Sequence, residues 1–276
     1  MKKISFILIA ISVFFSCSDW EVEIPLNKTD TTPEKTKRVV LIEEFTGASC
    51  VNCPKGITQT TAIRNAYPEN VVVVAVHSNF LGAPATAGQV NLRTPDAQAI
   101  EAFLGSWFSK PEAAINRLYD AANQTYRYGS PDSWRGIVEE ELKKDPAVEL
   151  VIDKTYNEST RELKVTLKVK GLVTLSKPIH IHCGITESEI IADQLDNTGK
   201  LIDFVHSHAL RKMLSPIPGD KIGDGITVNQ SLEKEYNFTL PIDNILWNPE
   251  HCELFAYVSL DETEKYILQA AEVKLK

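Results

Sequence analysis

Two cysteines separated by two residues, Cys50 and Cys53, are the positions whose types and spacing most directly imply chemistry. They follow the apolar run Val39 to Ile42, at the point where a helix is predicted to begin. The first turn of a helix offers unpaired N–H groups and the positive end of the helix dipole, and both stabilise a thiolate. Because the thiolate is the nucleophile in thiol–disulfide exchange, we predict that Cys50 attacks a substrate and that Cys53 resolves the mixed disulfide.

The elements that position this pair are predicted to be two parallel strands and the helix that connects them. Residues 39–42 and 71–76 are uninterrupted apolar runs, which are typical of strands buried on both faces of a parallel sheet. About 28 residues lie between the runs, which is enough for one crossover helix. The pattern therefore predicts a β-α-β unit with the cysteines at the start of its helix.

The segment from Val39 to Cys53 resembles the thioredoxin-like superfamily, which has a buried acid before a phenylalanine, six residues ahead of the first cysteine. Glu44 occupies that place. The resemblance implies that Glu44 passes a proton to Cys53, and a solvated edge position is the alternative. It also implies that Pro111 is a cis-proline opposite the dithiol, where backbone groups pair with an extended substrate. Residues 78–107 lengthen this region, and they either shape a substrate groove or cover the dithiol.

The apolar pattern changes near residue 146 and divides the chain into two predicted domains. A helix is predicted to begin at Ser130-Pro131 and to end at Asp145-Pro146. Beyond it, apolar residues alternate with a period of two, as in strands with one buried face. We predict an α/β thioredoxin-like domain over residues 38–145, followed by an all-β immunoglobulin-like sandwich over residues 146–276.

The first 37 residues are predicted to carry targeting signals. Two lysines precede a twelve-residue apolar run, which is too short to span a bilayer but fits a signal peptide. The run leads into a sequence that resembles a bacterial lipobox, so residues 1–16 are predicted to be a signal peptide and Cys17 to be lipidated. An ordinary signal peptide followed by a chance cysteine is the alternative. Residues 17–37 are polar and are predicted to form a flexible tether between the lipid anchor and the folded body.

Two further cysteines lie in the second half of the chain. Cys183 and Cys252 fall on the apolar phase of their predicted strands, so both side chains are expected to point inward. In an oxidising envelope they could form a structural disulfide across the sheets. Free buried cysteine, which behaves as a small apolar residue, is the alternative.

Composition and charge exclude some classes of function. The formal net charge is −8, with 37 acidic and 29 basic side chains, which argues against nucleic acid as a partner. No organic cofactor is implied. His180 and His182 form one pair and His206 and His208 another, but no acidic or cysteine ligand has metal-site spacing. We therefore expect solvated or hydrogen-bonded surface histidines and no metal, with metal transport as a third hypothesis.

The lipobox, the cysteine pair and the β-rich second half together resemble a family of Bacteroidetes outer-membrane lipoproteins, named for a twenty-eight-kilodalton outer membrane protein. Further matching stretches are residues 111–118 with Ile115-Asn116-Arg117, residues 206–211 from His206 to Arg211, Gly219-Asp220, and residues 256–274. The resemblance covers most of residues 38–276. It implies outer-membrane placement, on the periplasmic or the cell-surface face, together with the two-domain plan.

Two functions follow as hypotheses. The first is a membrane-anchored thiol–disulfide oxidoreductase that acts on an envelope protein substrate or redox partner, with Cys50, Cys53, Pro111 and Glu44 as its site. The alternative is a non-catalytic binding or structural lipoprotein whose Cys50–Cys53 bond is permanent. The reduction potential separates them, since structural disulfides lie below about −300 mV. Full coverage of Cys50 by residues 78–107 would also favour the alternative.

Overall fold

The computed structural model describes residues 36–105, 109–243 and 245–276. The predicted signal peptide over residues 1–16, the lipidated Cys17 and nearly all of the predicted tether lie outside these ranges. Three helices and thirteen strands lie within them. No helix in the described ranges is both long enough and apolar enough to cross a membrane.

A β-α-β unit carries the cysteine pair, as the sequence predicts. Strand β1 (Val40–Thr46) runs parallel to β2 (Val71–His77), and helix α1 (Cys53–Ala66) connects them. Every residue of both strands is buried, because helices cover both faces of this part of the sheet. Helices α1 and α3 (Pro131–Leu142) pack on one face, and α2 (Pro95–Phe103) packs on the other.

The strands form one large mixed sheet and two smaller sheets. The remaining strands are β3 (Glu112–Ile115), β4 (Val148–Asn157), β5 (Glu162–Gly171), β6 (Ile179–Glu187), β7 (Ile190–Asp196), β8 (Gly199–His206), β9 (Ala209–Met213), β10 (Asp220–Gly223), β11 (Ser231–Thr239), β12 (Cys252–Leu260) and β13 (Ile267–Lys274). The large sheet has the order β13-β12-β6-β9-β2-β1-β3, and β10 pairs with β6. The second sheet has the order β11-β5-β4, and the third is the β7-β8 hairpin.

The predicted fold class, an α/β thioredoxin-like domain followed by an immunoglobulin-like sandwich, is wrong. Strands from both halves of the chain share the large sheet, because β9 lies beside β2 and pairs Ala209 with Ala75. The Ala75 N–H donates to the His208 carbonyl at 2.8 Å. The second half therefore completes the sheet that the β-α-β unit begins, and strands dominate the described residues. Residues 36–276 form one compact unit, and a boundary at residues 145–146 remains a prediction.

The three-stranded sheet packs on β6, β12 and β13 of the large sheet. Alternate residues of β5, from Leu163 to Val169, are buried, while those between them are exposed or half-buried. The buried residues join Ile181, Ile185 and Leu254 of the large sheet in the largest apolar cluster. The predicted alternation of buried and exposed residues is confirmed for β5, whereas β6 is buried on both faces.

Of the two alternatives for Cys183 and Cys252, a disulfide or free buried thiols, the structure shows the second. Their inward orientation is confirmed, with exposed fractions of 0% and 1%. The register explains why they cannot bond. Cys183 lies opposite Ala256 and Cys252 lies opposite Glu187 on adjacent strands, so the cysteines are four positions apart. That offset is about 13 Å at the rise of a strand, whereas a disulfide needs Cα atoms about 4.4–6.8 Å apart.

We expect the two free thiols to resist alkylation until the protein unfolds. Burial raises the pKa of Cys183 to about 12 and also raises the pKa of Cys252, so the reactive thiolate is scarce as well as inaccessible. Iodoacetamide without a reductant should modify both residues only after denaturation and should leave Cys50 and Cys53 unmodified. Peptide mass mapping reads the result. A peptide pair joined through Cys183 and Cys252 would contradict it.

Candidate dithiol site

The cysteine pair lies at the start of α1 and forms a disulfide in this structure. The Sγ atoms of Cys50 and Cys53 are 2.10 Å apart, and their Cα atoms are 5.3 Å apart. The Cys50 N–H donates to the Gly47 carbonyl, and the Cys53 N–H donates to the Cys50 carbonyl. The first turn of α1 holds no acidic residue, so the positive end of the helix dipole is uncompensated there. The predicted position of the pair is therefore confirmed.

Both cysteines are buried, with exposed fractions of 1% for Cys50 and 0% for Cys53. Part of their cover is the segment that follows β2. The Ser49 N–H donates to the Leu81 carbonyl at 3.0 Å, and Ser49 Oγ donates to the Ala83 carbonyl at 2.7 Å. Of the two roles that the sequence leaves open for residues 78–107, a substrate groove or a cover, these contacts favour the cover.

The β7–β8 hairpin, which the sequence did not indicate, also packs on the loop that carries the dithiol. The side chain of Gln194 is fully buried, and its Nε2 donates to the Gly47 carbonyl at 3.2 Å and to the Cys50 carbonyl at 3.1 Å. The Leu195 N–H donates to the Ala48 carbonyl at 2.8 Å. The hairpin thus binds the backbone of the loop that carries the dithiol.

Gly47 allows this loop to pack closely, and we expect its replacement by alanine to destabilise the protein by about 1–3 kcal/mol, as overpacking typically does. A Cβ at position 47 would lie 2.2 Å from the Leu81 carbonyl oxygen, which belongs to the backbone and cannot rotate away. Gly136→Ala is the matched control, since a Cβ at this position of α3 would meet nothing within 4 Å. The free energy of unfolding of the control variant should rise by up to about 1 kcal/mol, because alanine has a higher helix propensity than glycine. Urea unfolding compares the two variants, and equal effects would contradict the prediction.

Glu44 and Pro111 both lie against Gly56, which is about one helical turn after Cys53 in α1. The bond between Lys110 and Pro111 is cis. A Cβ at Gly56, three residues after Cys53, would lie 2.7 Å from Pro111 Cβ and 2.9 Å from Glu44 Oε1. The α1 backbone, the proline and the carboxyl are therefore packed against one another.

The carboxyl of Glu44 is buried, so the solvated alternative is wrong. Its exposed fraction is 2%, and burial raises its pKa to about 7, although a hydrogen bond from Thr60 acts in the opposite direction. Thr60 Oγ1 donates to Oε2 at 2.7 Å, and Oε1 has no hydrogen-bond partner. Glu44 is therefore an acid that exchanges a proton near neutral pH.

Lys110 fixes the loop of Pro111, a role that the sequence did not reveal. Its Nζ donates to the Thr46 carbonyl at 3.0 Å, to Ser78 Oγ at 2.6 Å and to the Phe80 carbonyl at 2.7 Å. Burial lowers its pKa to about 8. One side chain thus ties the proline loop to the ends of β1 and β2, beside the dithiol.

A cavity of about 250 Å³ lies next to Glu44, under α1. His77, His206 and His208 line it together with Glu44, and the rings of His77 and His206 are 5.8 Å apart. Burial lowers the pKa of His206 and of His208 to about 4 and also lowers that of His77. These imidazoles are therefore neutral at pH 7.

The expectation of surface histidines is wrong for most of the four predicted positions. His206 lies in the buried wall of the cavity, and His182 is fully buried, where its Nε2 contacts Ser259 Oγ at 2.9 Å. The two pairs do not meet, because His180 and His182 lie on β6, away from the cavity. Among the described residues, no group of three or more potential ligands has metal-binding geometry.

A family model described as outer membrane protein Omp28 matches residues 102–276, more than half of the chain. The chain belongs to the Omp28 family. The match includes Pro111, Arg117 and the β7–β8 hairpin but begins after Cys53. No curated protein matches the chain in sequence.

Two solved structures resemble the fold. HBP35 of Porphyromonas gingivalis has a TM-score of 0.68 and 18% identity, over 87% of this chain and 76% of that chain. Protein AGR_C_4864 from Agrobacterium tumefaciens has a TM-score of 0.53 and 11% identity, over 87% of this chain and 96% of that chain. At these identities the likeness concerns the fold alone.

Proposed function

We propose that this protein is an outer-membrane oxidoreductase that exchanges disulfides with envelope proteins through Cys50 and Cys53. The observation that carries the proposal is Glu44, a buried carboxyl with a pKa of about 7 that lies against Gly56, one turn of α1 after Cys53. Burying an ionisable group without a charged partner is costly, and a purely structural disulfide gains nothing from such an acid. An acid with a pKa near the working pH is suited to transfer a proton to or from a thiol.

The exchange uses Cys50, Cys53 and Glu44 in turn. A substrate thiolate attacks Cys50 Sγ, the Cys50–Cys53 bond breaks, and Cys53 leaves as a thiolate that takes a proton from Glu44. A second substrate thiolate attacks the substrate sulfur of the mixed disulfide and releases Cys50. The substrate loses two electrons and gains a disulfide, and a dithiol–disulfide redox partner in the envelope reoxidises the cysteines. The reverse sequence reduces a substrate.

The burial of both cysteines favours a second candidate function. A bond with 0–1% exposure of its cysteines is shielded from the reductants of the envelope. In this candidate the disulfide is a permanent staple, and the protein is a binding or structural lipoprotein. The two candidate functions differ in whether a thiol or disulfide of another protein reaches Cys50.

Trapping a mixed disulfide tests the proposal directly. In the Cys53→Ser variant no resolving thiol remains, so Cys50 should accumulate in bonds with envelope proteins, which non-reducing gels detect. The matched control is the double variant Cys50→Ser, Cys53→Ser, which should trap nothing. If the single variant traps no more protein than the control, the disulfide is structural and the exchange function is wrong.

We also propose that a lipid on Cys17 holds the protein at the outer membrane, on its periplasmic or cell-surface face. The lipobox resemblance supports this anchor, and membership of an outer membrane protein family supports the membrane. Labelled palmitate should be incorporated into the full-length protein and should be lost in Cys17→Ala. Equal incorporation in both would contradict the anchor.

A further inference from the structure

We propose that the β7–β8 hairpin is an autoinhibitory cover, held over the Cys50–Cys53 disulfide by Gln194 and removed by local opening of the hairpin. This inference rests on the proposed exchange function, because a cover has a use only if the dithiol reacts. It explains why the site has an acid suited to proton transfer although both cysteines are buried. While the hairpin is in place, a substrate cannot reach their sulfur atoms.

The contacts of the hairpin with the dithiol loop are few and specific. Three hydrogen bonds join them directly: two from Gln194 Nε2, to Gly47 and Cys50, and one from the Leu195 N–H to Ala48. Each acceptor is a backbone carbonyl of the segment that ends at Cys50. Loss of these hydrogen bonds would therefore release the hairpin from the loop that carries Cys50.

A second set of contacts joins the hairpin to the segment after β2. Asp193 accepts a hydrogen bond from Thr86, and its N–H donates to Gln89 Oε1 at 2.8 Å. Lys200 Nζ donates to Thr86 Oγ1 at 2.7 Å. The two covers of the dithiol are thus bound to each other, so that movement of the hairpin loosens both.

The hairpin is built to open separately from the rest of the protein. Its two strands pair with each other and form a sheet of their own. Its outer side chains contribute little to any core, since Ile191, Ile202 and Val205 are 61%, 65% and 52% exposed. Its inner face is partly buried, with four buried residues in β7 and one in β8. Segments with fewer buried residues than the central strands open at a lower free energy than global unfolding requires. By contrast, β1 and β2 are buried throughout and are expected to open only when the protein unfolds.

The rate of chemical reduction measures the opening. Dithiothreitol passes two electrons and two protons to Cys50 and Cys53 and becomes its cyclic disulfide, and alkylation with mass spectrometry counts the thiols formed. In the full-length protein, Gln194→Ala should raise this rate about tenfold, since each lost hydrogen bond contributes a factor of about two to ten. Gln269→Ala is the matched control. Gln269 is equally buried and bonds to Lys37 and Val39, away from the dithiol, so its loss should leave the rate unchanged.

Hydrogen exchange in the unmutated protein keeps the test independent of whether a variant folds. The Leu195 amide should exchange at least about tenfold faster than the Asn116 amide, which donates to Leu41 within the large sheet. Equal protection of the two amides would overturn the cover, as would a reduction rate of Gln194→Ala within twofold of the unmutated protein. Faster reduction without any mixed disulfide in Cys53→Ser would uphold the cover and overturn the exchange function.

Discussion

Arg117→Ala is expected to lower the free energy of unfolding by about 3–5 kcal/mol, because it leaves a buried carboxylate without its partner. Arg117 is 1% exposed, and its Nε and one terminal nitrogen donate to both carboxylate oxygens of Glu43, at 2.9 and 2.7 Å. The same terminal nitrogen donates to the Tyr257 hydroxyl at 2.7 Å. Arg117 thus bridges Glu43 of β1 and Tyr257 of β12, so it links the β-α-β unit to the second half of the chain.

Urea unfolding measures this loss, and two variants control it. Glu43→Gln combined with Arg117→Met removes both charges and should cost clearly less than Arg117→Ala alone. Lys168→Ala breaks an ion pair with Asp153 in which both side chains are about half exposed, and it should leave the midpoint unchanged because such pairs are screened by water. An effect of Arg117→Ala no larger than that of Lys168→Ala would contradict the account of this link.

The free energy of unfolding of the unmutated protein is expected to fall as the pH rises from about 4.5 to 7. Glu44→Gln is expected to abolish this fall. The pKa of Glu44 rises from 4.5 to about 7 through burial, so over this range the folded state binds the proton more tightly than the unfolded state. Stability from this group is therefore complete below pH 4.5 and is lost as the pH rises through 7. This rise in the pKa of Glu44, from 4.5 to about 7, corresponds to roughly 3 kcal/mol in the free energy of unfolding.

The difference in unfolding free energy between Glu44→Gln and the unmutated protein should therefore grow by about that amount from pH 4 to pH 8. Urea unfolding at a series of pH values measures it. Glu235→Gln is the control, since a hydrogen bond from Lys164 lowers the pKa of Glu235 and its replacement should not reproduce this slope. If the difference in unfolding free energy between Glu44→Gln and the unmutated protein stays constant with pH, burial does not raise the pKa of Glu44. That result would contradict the prediction.

The dithiol region could be predicted from the sequence because its signals are local. An apolar run, a cysteine pair and a second apolar run define a strand, the start of a helix and a second strand. A family resemblance indicates Pro111 and Glu44, and the structure places both against Gly56 of α1. Each of these inferences depends on short spacings or on a known motif.

The order of strands in the large sheet could not be predicted. Apolar periodicity reveals which face of a strand is buried, but not which strand lies beside it. Ala75 and Ala209 pair across 134 positions of sequence, and neither residue type marks that contact. Cys183 and Cys252 show the same limit, since their buried faces were predicted while their register was not. Gln194 was missed because its role depends on a hairpin that folds over a distant loop.

The reduction potential of the Cys50–Cys53 couple in the full-length protein tests the exchange function most directly. It can be measured by equilibration with glutathione or dithiothreitol buffers, followed by acid quenching and alkylation of the free thiols. The account predicts a potential above about −300 mV, within the range of dithiols that exchange electrons with protein partners. A potential below that value would identify a permanent structural disulfide and contradict the account.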